Sequence, residues 1–418
     1  MSRSGVEIDV SIFPLLAVER PTLPRPTLKE IFRDLGPQEF GNGIVALIFS
    51  ASGPIAVILA AAAAGQLSAQ ETSSWIFGAF LGNGLLTLVM TYLYRSPMAF
   101  FWTIPGTVLV GDALTHLSLQ EVVGAYMATA VLVFFLGWTG LIGKIMELLP
   151  ATIVMAMVAG VFLRFGTDLI HSLIDDPLIA VPMVVVFVVL TMFSAVGKYL
   201  PPVATAAVLG TIVAIVAGRL QGGILDNGVV AKPLLIVPEF SWSAMIELVI
   251  PLAVTVVFVQ NGQGLAVLRA AGHRQGVNLS AAVSGLWSIP VGLLGCTSTC
   301  LTGPTNALIV SGKDKSRHYT AAMVTAVGAI IVGIFSPAFV GFMLAMPASF
   351  IAALAGIAML TPLKNAFVAG FSGSWSTGAL VCFLVTITEV TFLGLSAPFW
   401  GLVAGVVVGK LLDPAPTK

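Results

Sequence analysis

Hydroxyl and amide side chains gather around a Gly–Pro pair in a stretch of chain that is apolar enough to cross a membrane. The stretch reads CTSTCLTGPTNALIVSG and begins at Cys296. Gly and Pro interrupt a continuous helix, and backbone groups freed inside a bilayer are tolerated only where they are buried in protein or face a watery cavity. A helix interface of small residues is the alternative, but the polar groups cluster at the break instead of repeating at helical spacing. We therefore predict a broken span that binds a ligand, through Thr302, Gly303, Pro304, Thr305 and Asn306.

A second broken span lies in the first half of the chain, where WTIPGTVLVGDAL has a Pro–Gly break. The amino ends of half-helices carry partial positive charge and free N–H groups, which favour an anion. We expect half-helices to begin near Gly106 and Thr305 and to face each other at mid-membrane, as the broken helices of secondary transporters do. The candidate ligand-binding residues of this span are Trp102, Thr103, Pro105 and Gly106.

Two more predicted spans carry polar groups that are expensive inside a bilayer. One reads VVFVQNGQGLAVL and the other FSASGPIAVIL, and they align so that Phe49 matches Phe258. For the three amides of the first segment, an interhelical clasp is the alternative to ligand binding. The equivalence of the two segments favours a shared cavity, lined by the candidates Ser50, Ser52, Gly53, Gln260, Asn261 and Gln263.

Few ionisable groups lie inside predicted spans, where such groups are functional candidates by default. Glu389 in TITEVTF and Asp112 near the end of its span are the candidates for proton coupling, because a buried carboxyl holds a proton more readily. The alternative is that the substrate crosses with its own proton, held by the amides of Gln260, Gln263 and Asn306. For Glu389 a solvated place at the outer interface is an equally good interpretation. Glu247 and the four histidines are expected near interfaces or in loops, in contact with water. No predicted span holds a buried Lys or Arg, so an anion would be held by helix dipoles, hydroxyls and amides.

Composition fixes the class of protein that must position these groups. The chain has 418 residues, of which 57% are hydrophobic and 9% charged, and its mean hydropathy is +1.02, whereas soluble domains carry roughly 25% charged residues. This composition predicts an all-α integral membrane protein. Zero net charge argues against a nucleic-acid partner, and the cysteine spacing suggests neither a zinc site nor a disulfide framework. Without a metal cluster, a nucleophile–base pair or a P-loop, neither an enzyme nor an ATP-driven pump is expected, and no cofactor is predicted.

About fourteen apolar segments approach the length of about 20 residues that a span needs. With the amino terminus in the cytoplasm, the inside segments hold all of the 19 Lys and Arg except Arg164, Arg219 and Lys232, as the positive-inside rule requires. Both termini are therefore predicted to be cytoplasmic. The predicted spans are 44–64, 75–94, 100–114, 122–142, 151–165, 178–193, 203–216, 245–268, 279–294, 297–310, 321–342, 348–360, 377–391 and 398–411.

The two halves of the chain repeat each other. AYMATAVLVFFLG from Ala125 aligns without gaps to AAMVTAVGAIIVG from Ala321, PATIVMAM resembles PASFIAAL, and TIPGTVLVG matches TGPTNALIV. Each half has seven spans, an odd number, so the second copy must be inverted. The predicted organisation begins with a cytoplasmic arm over 1–40, which includes a short surface helix at 27–35. A first repeat over 41–218, an extracellular linker over 219–244, an inverted repeat over 245–413 and a cytoplasmic tail over 414–418 follow.

These motifs together resemble the benzoate membrane transport family of bacterial benzoate/proton symporters, over essentially the whole chain. The segments that carry the resemblance are FSASGP, FWTIPGTVLVG, VQNGQG and LTGPTNALIVSG. More distantly, the layout is similar to nucleobase/ascorbate transporters and to sulfate-class anion transporters. The resemblance implies a core domain (spans one to four and eight to eleven), a gate domain (the other spans), elevator-like movement of core against gate, and a homodimer in the bacterial inner membrane. Nucleobase transporters carry a substrate-binding Glu in the eighth span, where this chain has Gln260-Asn261-Gly262-Gln263.

The leading hypothesis is thus a secondary transporter that imports benzoate or a related aromatic carboxylate with protons. Benzoate itself follows from the resemblance. An uncharged polar pocket with dipole ends and nearby aromatic rings also suits a small aromatic anion. The alternatives are a nucleobase/proton symporter of the uracil or xanthine type and an anion channel.

Overall fold

The computed structural model describes residues 19–142, 150–193, 202–220, 228–388, 392 and 397–413. The first half of the chain folds as apolar helices, one of which follows a short strand. A π-helical turn at 78–82 joins the fourth helix to the fifth. The elements are α1 Leu28–Asp34, α2 Pro37–Ser50, α3 Gly53–Ala64, α4 Ala69–Phe77, α5 Asn83–Tyr94, β1 Phe100–Trp102, α6 Ile104–Ala113, α7 Leu119–Thr139, α8 Ala151–Asp175, α9 Pro177–Met192 and α10 Pro202–Val216.

The second half follows the same plan, with a second strand before a short helix and a second π-helical turn at 255–261. Its elements are α11 Trp242–Val254, α12 Gly262–Ala270, α13 Val277–Gly292, β2 Thr299–Leu301, α14 Gly303–Ile309, α15 His318–Ile334, α16 Ser336–Ala345, α17 Ala348–Phe371, α18 Ser376–Thr386 and α19 Ala397–Leu412.

Several helices begin at residues that satisfy their free N–H groups. Thr27, Ser68 and Ser118 each cap a helix whose third residue is Glu, and in each case the Glu carboxylate accepts a hydrogen bond from the cap backbone. Such capping boxes satisfy two backbone donors at once. The first of these helices, α1, confirms the short surface helix predicted near 27–35.

Seven helical segments within the described residues are long and apolar enough to cross a membrane, judged by length and composition. They cover 37–64, 69–94, 119–139, 151–175, 242–270, 315–334 and 348–371. Shorter apolar helices cover 177–192, 202–216, 336–345, 376–386 and 397–412. Every predicted segment overlaps at least one helix of the structure, while the count of fourteen crossings stays a prediction.

Three predicted spans differ most clearly from the helices of the structure, and the first of them, 348–360, continues as α17 to Phe371. The predicted span 321–342 is two helices, α15 and α16, because Pro337 lies in the first turn of the second helix and cannot continue the first. The predicted span 151–165 continues to Asp175, so that Arg164 lies in the interior of α8 instead of at its end. The lengthened helix brings a cationic side chain towards α6.

Packing brings together helices that are far apart in the chain. α8 lies along α17, α7 packs against α13 and α11, α15 packs against α2 and α5, and α3 packs against α6 and α17. Gly53 shows how close one of these contacts is, because a Cβ built there would overlap Ala358 of α17. The contact therefore requires glycine at this position of α3.

The segment before α2 is anchored to the helical body by charges. Arg95 at the end of α5 contacts Glu30 at 3.0 Å and Asp34 at 3.6 Å, and Asp34 also accepts a hydrogen bond from the Tyr319 hydroxyl at 2.8 Å. Upstream, the Glu19 carboxylate accepts from the backbone N–H of Leu279 at 2.7 Å. Glu19 thereby caps α13, whose preceding residue is a glycine without a side-chain cap.

Candidate functional site

The two strands pair antiparallel where the broken spans meet. Phe100 lies opposite Leu301, Phe101 opposite Cys300 and Trp102 opposite Thr299, and all six residues are buried. Inside a membrane protein the outer edges of such a sheet cannot rely on water and must find partners in the protein. The sequence prediction that the two breaks approach each other is therefore confirmed in this structure.

Side chains of neighbouring helices satisfy both edges of the sheet. The Thr87 hydroxyl accepts from the N–H of Phe100 at 2.9 Å and donates to its carbonyl at 3.0 Å. On the other edge, Ser288 Oγ accepts from the N–H of Thr299 at 2.8 Å, and Asn261 Oδ1 accepts from the N–H of Leu301 at 2.7 Å. Asn261 thus braces β2, as in the clasp alternative.

Asn306 braces the sheet at its end. Its Oδ1 accepts from the N–H of Ala99 at 3.0 Å, and its Nδ2 donates to the carbonyls of Ala99 at 3.0 Å and Thr302 at 2.6 Å. The side chain is fully buried. The polar atoms of this amide are therefore engaged with backbone.

The half-helices begin at Ile104 and Gly303, two residues earlier than predicted at each break. The expectation of free N–H groups at Gly106 is wrong, because Thr103 Oγ1 accepts from the Gly106 N–H at 3.2 Å. Thr103 Oγ1 also donates to Thr255 Oγ1 at 3.1 Å. At the other break, Thr302 forms no side-chain cap, and α14 is too short to supply a large dipole.

A small cavity lies between the sheet and the break in the first span. Its volume is about 10 Å³, far below the about 300–1,000 Å³ of typical small-ligand pockets, so it has room for about one water molecule. Carbon atoms form the surface that faces it, and none of the lining side chains, all of them described residues, is charged. The lining residues are Phe49, Ser50, Pro54, Phe101, Trp102, Ile104, Thr302, Pro304 and Thr305.

Polar atoms lie within the residues that line this cavity. Trp102 Nε1 and Thr302 Oγ1 are buried and have no hydrogen-bond partner among the described residues. Ser50 Oγ lies 3.2 Å from Thr305 Oγ1, and Ser50 Oγ also donates to the Ala46 carbonyl. A buried donor or acceptor left unpaired costs about 1–3 kcal/mol, so Trp102 and Thr302 are poised to gain from a polar ligand group.

Other predicted site residues lie outside the cavity lining. Ser52 Oγ donates to the Phe49 carbonyl at 3.1 Å, and Gly53 contacts α17 as described. Gln260 is buried in the π-helical turn with its Oε1 unpaired among the described residues, and Asn261 Nδ2 is likewise unpaired. Gln263 is exposed. The remaining predicted residues, Thr103, Pro105, Gly106, Gly303 and Asn306, shape the two breaks.

The two carboxylates predicted for proton coupling have different outcomes. Asp112 Oδ1 lies 3.3 Å from Arg164 Nη1, so an ion pair joins α6 to α8. Because this arginine stays charged at all ordinary pH values, Asp112 has a permanent counter-ion. Glu389 lies outside the described residues.

The chain matches a known protein family over nearly its whole length. The family model for benzoate membrane transport protein (BenE) matches residues 33–411, nearly the whole chain. The chain belongs to this family. It is a family of membrane transporters, so the predicted transporter class, and the prediction that the chain is not an enzyme, are confirmed.

Individual members and solved structures agree with this assignment. The inner membrane protein YdcO of Escherichia coli K12 is 30% identical over 378 residues, which cover 89% of this chain and 95% of that protein. The benzoate membrane transport protein of Acinetobacter baylyi is 28% identical, covering 88% and 94%. Among solved structures, the transmembrane domain of the cyanobacterial bicarbonate transporter BicA has TM-score 0.60 and 17% identity, covering 90% of this chain and 98% of that one. Murine solute carrier 26 family member A9 in the inward-facing state has TM-score 0.61 and 14% identity, covering 90% and 68%. The family member described here thus shares their multi-pass transporter fold.

Sequence analysis missed two buried ionisable pairs. Glu247 of α11 has a fully buried side chain, and its Oε2 lies 3.0 Å from His116 Nε2. His273 Nε2 lies 3.0 Å from His318 Nδ1, and both histidines are buried. The placements of Glu247, His273 and His318 in contact with water are therefore wrong.

A signal for Glu247 was present in the periodicity of the helix. Ala244, Glu247, Pro251 and Thr255 recur at helical spacing and are all buried, so the carboxylate shares the apolar face of its helix. The histidines, by contrast, lie in or beside loops whose course no helical pattern predicts.

Proposed function

We propose that this protein is a secondary active transporter that imports benzoate or a related aromatic carboxylate together with protons across the bacterial cytoplasmic membrane. Elevator-like alternating access of a core domain against a gate domain is part of the proposal. So are a 7+7 inverted repeat of fourteen spans and cytoplasmic termini. The name of the Acinetobacter relative supports benzoate as the substrate, and the name of the Escherichia coli relative supports the inner membrane.

The cavity between the two breaks is the observation that carries this function. Phe49, Phe101 and Trp102 offer ring faces and edges to an aromatic substrate, and Phe101 and Trp102 already pack edge to face at 5.8 Å. Such ring contacts add about 0.5–1.5 kcal/mol to the burial of apolar area. A cavity that combines aromatic rings with nearby hydroxyl and indole donors suits a molecule that is apolar at one end and carries a carboxylate at the other.

We propose that the carboxylate is bound by Thr302, Thr305, Ser50 and the Trp102 indole, because these residues line the cavity and the buried Trp102 Nε1 and Thr302 Oγ1 have no partner among the described residues. Hydrogen bonds to charged groups contribute about 1.5–3 kcal/mol each, so a few donors can hold an anion without a cationic side chain. Because the empty space is small, the ligand must enter a state in which the cavity is wider. Of the other predicted site residues, Asn261 and Asn306 hold the two strands at the breaks.

The membrane potential is the physical reason for including protons. A carboxylic acid with a pKa of about 4 is ionised at neutral pH. Moving one such charge inward against a negative interior costs about 2.3 kcal/mol per 100 mV, which lowers the accumulation of the anion about 50-fold. One proton carried with each anion removes this cost, and more than one would add a driving force.

The test is uptake of labelled benzoate by proteoliposomes that contain the purified full chain. We expect accumulation driven by an inward proton gradient, its loss when a protonophore collapses the gradient, and competition by other aromatic carboxylates. Competition by uracil or xanthine but not by aromatic carboxylates would identify a nucleobase transporter. Ion currents far above carrier rates would identify a channel, and either result would overturn the proposal.

A further inference from the structure

Glu247, the sixth residue of α11, is a carboxylate that is buried away from water and faces a histidine. Its side chain is 0% exposed, whereas that of His116 is 27% exposed. Glu247 Oε2 lies 3.0 Å from His116 Nε2, and Oε1 has no hydrogen-bond partner among the described residues. A buried carboxylate without compensation is costly, so this pair calls for a proton, a positive charge or both.

The hydrogen bonds around His116 indicate how many protons the pair holds. Thr115 Oγ1 lies 2.7 Å from the Asp112 carbonyl and 3.3 Å from His116 Nδ1. A hydroxyl has one hydrogen to donate, and the shorter contact assigns it to the carbonyl. His116 Nδ1 must then be the donor to Thr115.

This assignment leaves His116 Nε2 as the atom that meets the carboxylate. If the imidazole is neutral, Nε2 is an acceptor and Glu247 must carry the hydrogen of that contact. If the imidazole is charged, Nε2 carries it and Glu247 is ionised. In either case the pair holds one proton more than a neutral imidazole beside a carboxylate, and that proton lies between Nε2 and Oε2.

Other charges near the pair are already engaged. Asp112, at the end of α6, pairs with Arg164 of α8. Glu121 of α7 interacts electrostatically with His116, but its carboxylate accepts from Ser118 N and Oγ, both at 2.9 Å. Of the other elements packed against α11, the turn 255–261 has no ionisable residue, and α19 carries Lys410 in its last turn.

The pair is mechanically connected to the cavity through two helices that pack together, α6 and α11. At one end of α6, Thr103 beside the cavity donates to Thr255 at 3.1 Å. Beyond the other end, His116 contacts Glu247 at 3.0 Å. Glu247 and Thr255 are eight residues apart, or about 12 Å along a helix. A change of protonation at Glu247 therefore acts on the same helix pair that positions the Thr103 end of the site.

We propose that Glu247 and His116 form the binding site of the proton that is transported with the substrate. The partial exposure of His116 gives the proton a route from water to the buried carboxylate. Loss of the proton leaves a buried carboxylate beside a neutral imidazole. This unpaired charge destabilises the packing of α6 against α11. This inference rests on the proposed proton-coupled transport and names the residues that perform the coupling.

The test separates substrate exchange from proton-driven uptake. Counterflow of labelled benzoate against internal unlabelled benzoate needs no net proton movement, so Glu247→Gln should retain it, whereas uptake driven by an inward proton gradient should fall by tenfold or more. Glu71→Gln is the matched control, because Glu71 caps α4 at an exposed site, and it should behave as wild type. If wild type shows no benzoate exchange, the proposed function fails. If Glu247→Gln keeps full stimulation by the gradient, the proton site is elsewhere and this inference is overturned.

A second measurement does not depend on the substrate. The infrared spectrum of purified full-length protein, titrated over pH, should show a carboxyl or imidazole protonation change that disappears in both Glu247→Gln and His116→Gln. The His116→Gln change keeps an amide donor near Glu247 and so guards against loss of folding. An unchanged titration in both folded variants would also overturn the inference.

Discussion

The side-chain amide of Asn306 pairs with both backbone polar groups of Ala99, and so adds a rung to the ladder between β1 and β2. Its oxygen accepts from the Ala99 N–H and its nitrogen donates to the Ala99 carbonyl, both at 3.0 Å. The Asn306 amide thus makes the two hydrogen bonds that a backbone peptide group of a neighbouring strand would make. The crossing of the two broken spans therefore depends on an amide at this place.

The first prediction concerns this rung. Asn306→Ala should lower the unfolding midpoint of the purified protein in detergent, because it leaves the buried N–H of Ala99 unpaired at about 1–3 kcal/mol, while the Ala99 carbonyl keeps only the N–H of Thr302 at 3.2 Å. Asn306→Asp is the informative control, since it keeps an acceptor and loses the donor. An unchanged midpoint together with weaker benzoate binding would instead make Asn306 a ligand-contacting residue.

The second prediction separates binding from stability at Thr302. Thr302→Val removes a buried hydroxyl that has no partner among the described residues, so stability should hold or rise. Benzoate affinity should fall about 10-fold or more, because a hydrogen bond to a charged group contributes about 1.5–3 kcal/mol. Both quantities can be measured by titration calorimetry and thermal unfolding.

Thr107→Val is the matched control for Thr302. Thr107 Oγ1 already donates to the Thr103 carbonyl at 2.9 Å and lies 3.0 Å from Thr297 Oγ1. Its removal should therefore lower stability and change affinity less. Equal effects of the two substitutions on affinity would argue against a direct role for the Thr302 hydroxyl.

The sequence predicted the location of the site better than the roles of its residues. Gly303 and Pro304 interrupt a helix in any context, so the sequence could predict the two broken spans and their approach to each other. Which amide faces a ligand and which braces a backbone depends on the path of Ala99, some 200 residues away from Asn306, and no local pattern encodes it. Likewise, Gly53 was predicted to admit a ligand, but its close neighbour is Ala358 of a distant helix.

The third prediction decides the role of Asp112. Because its pair with Arg164 is partly exposed, Asp112→Asn should change stability by no more than about 1 kcal/mol. Proton stimulation of uptake should persist, since we assign the proton to Glu247 and His116. Uptake rates measured against external pH test this, with Asp168→Asn on the exposed side of the same arginine as the control. Loss of acid stimulation in Asp112→Asn but not in Asp168→Asn would show that Asp112 is the proton-coupling residue.

The fourth prediction concerns the buried histidine pair. Burial, with the nearby charges of His318 and Lys315, lowers the pKa of His273 from 6.5 to about 4. Its neutral form also fits the hydrogen bonds, which run from Ser96 Oγ to His273 Nδ1, from His273 Nε2 to His318 Nδ1 at 3.0 Å, and from His318 Nε2 to the Gly312 carbonyl at 2.8 Å. A proton added to His273 would occupy Nδ1 and meet the hydrogen that Ser96 Oγ donates to the same atom.

The sign of the resulting pH dependence follows from linkage. Between pH 6.5 and about 4 the unfolded chain binds more protons at this position than the folded protein does, so the stabilisation is full above pH 6.5 and is lost progressively as the pH falls towards 4. The unfolding midpoint of the detergent-solubilised protein should therefore be lower at pH 5 than at pH 7.5. His273→Gln should reduce this difference, whereas His171→Gln, at an exposed position of α8, should leave it as in wild type. A pH dependence that is the same in all three proteins would show that His273 does not contribute to it.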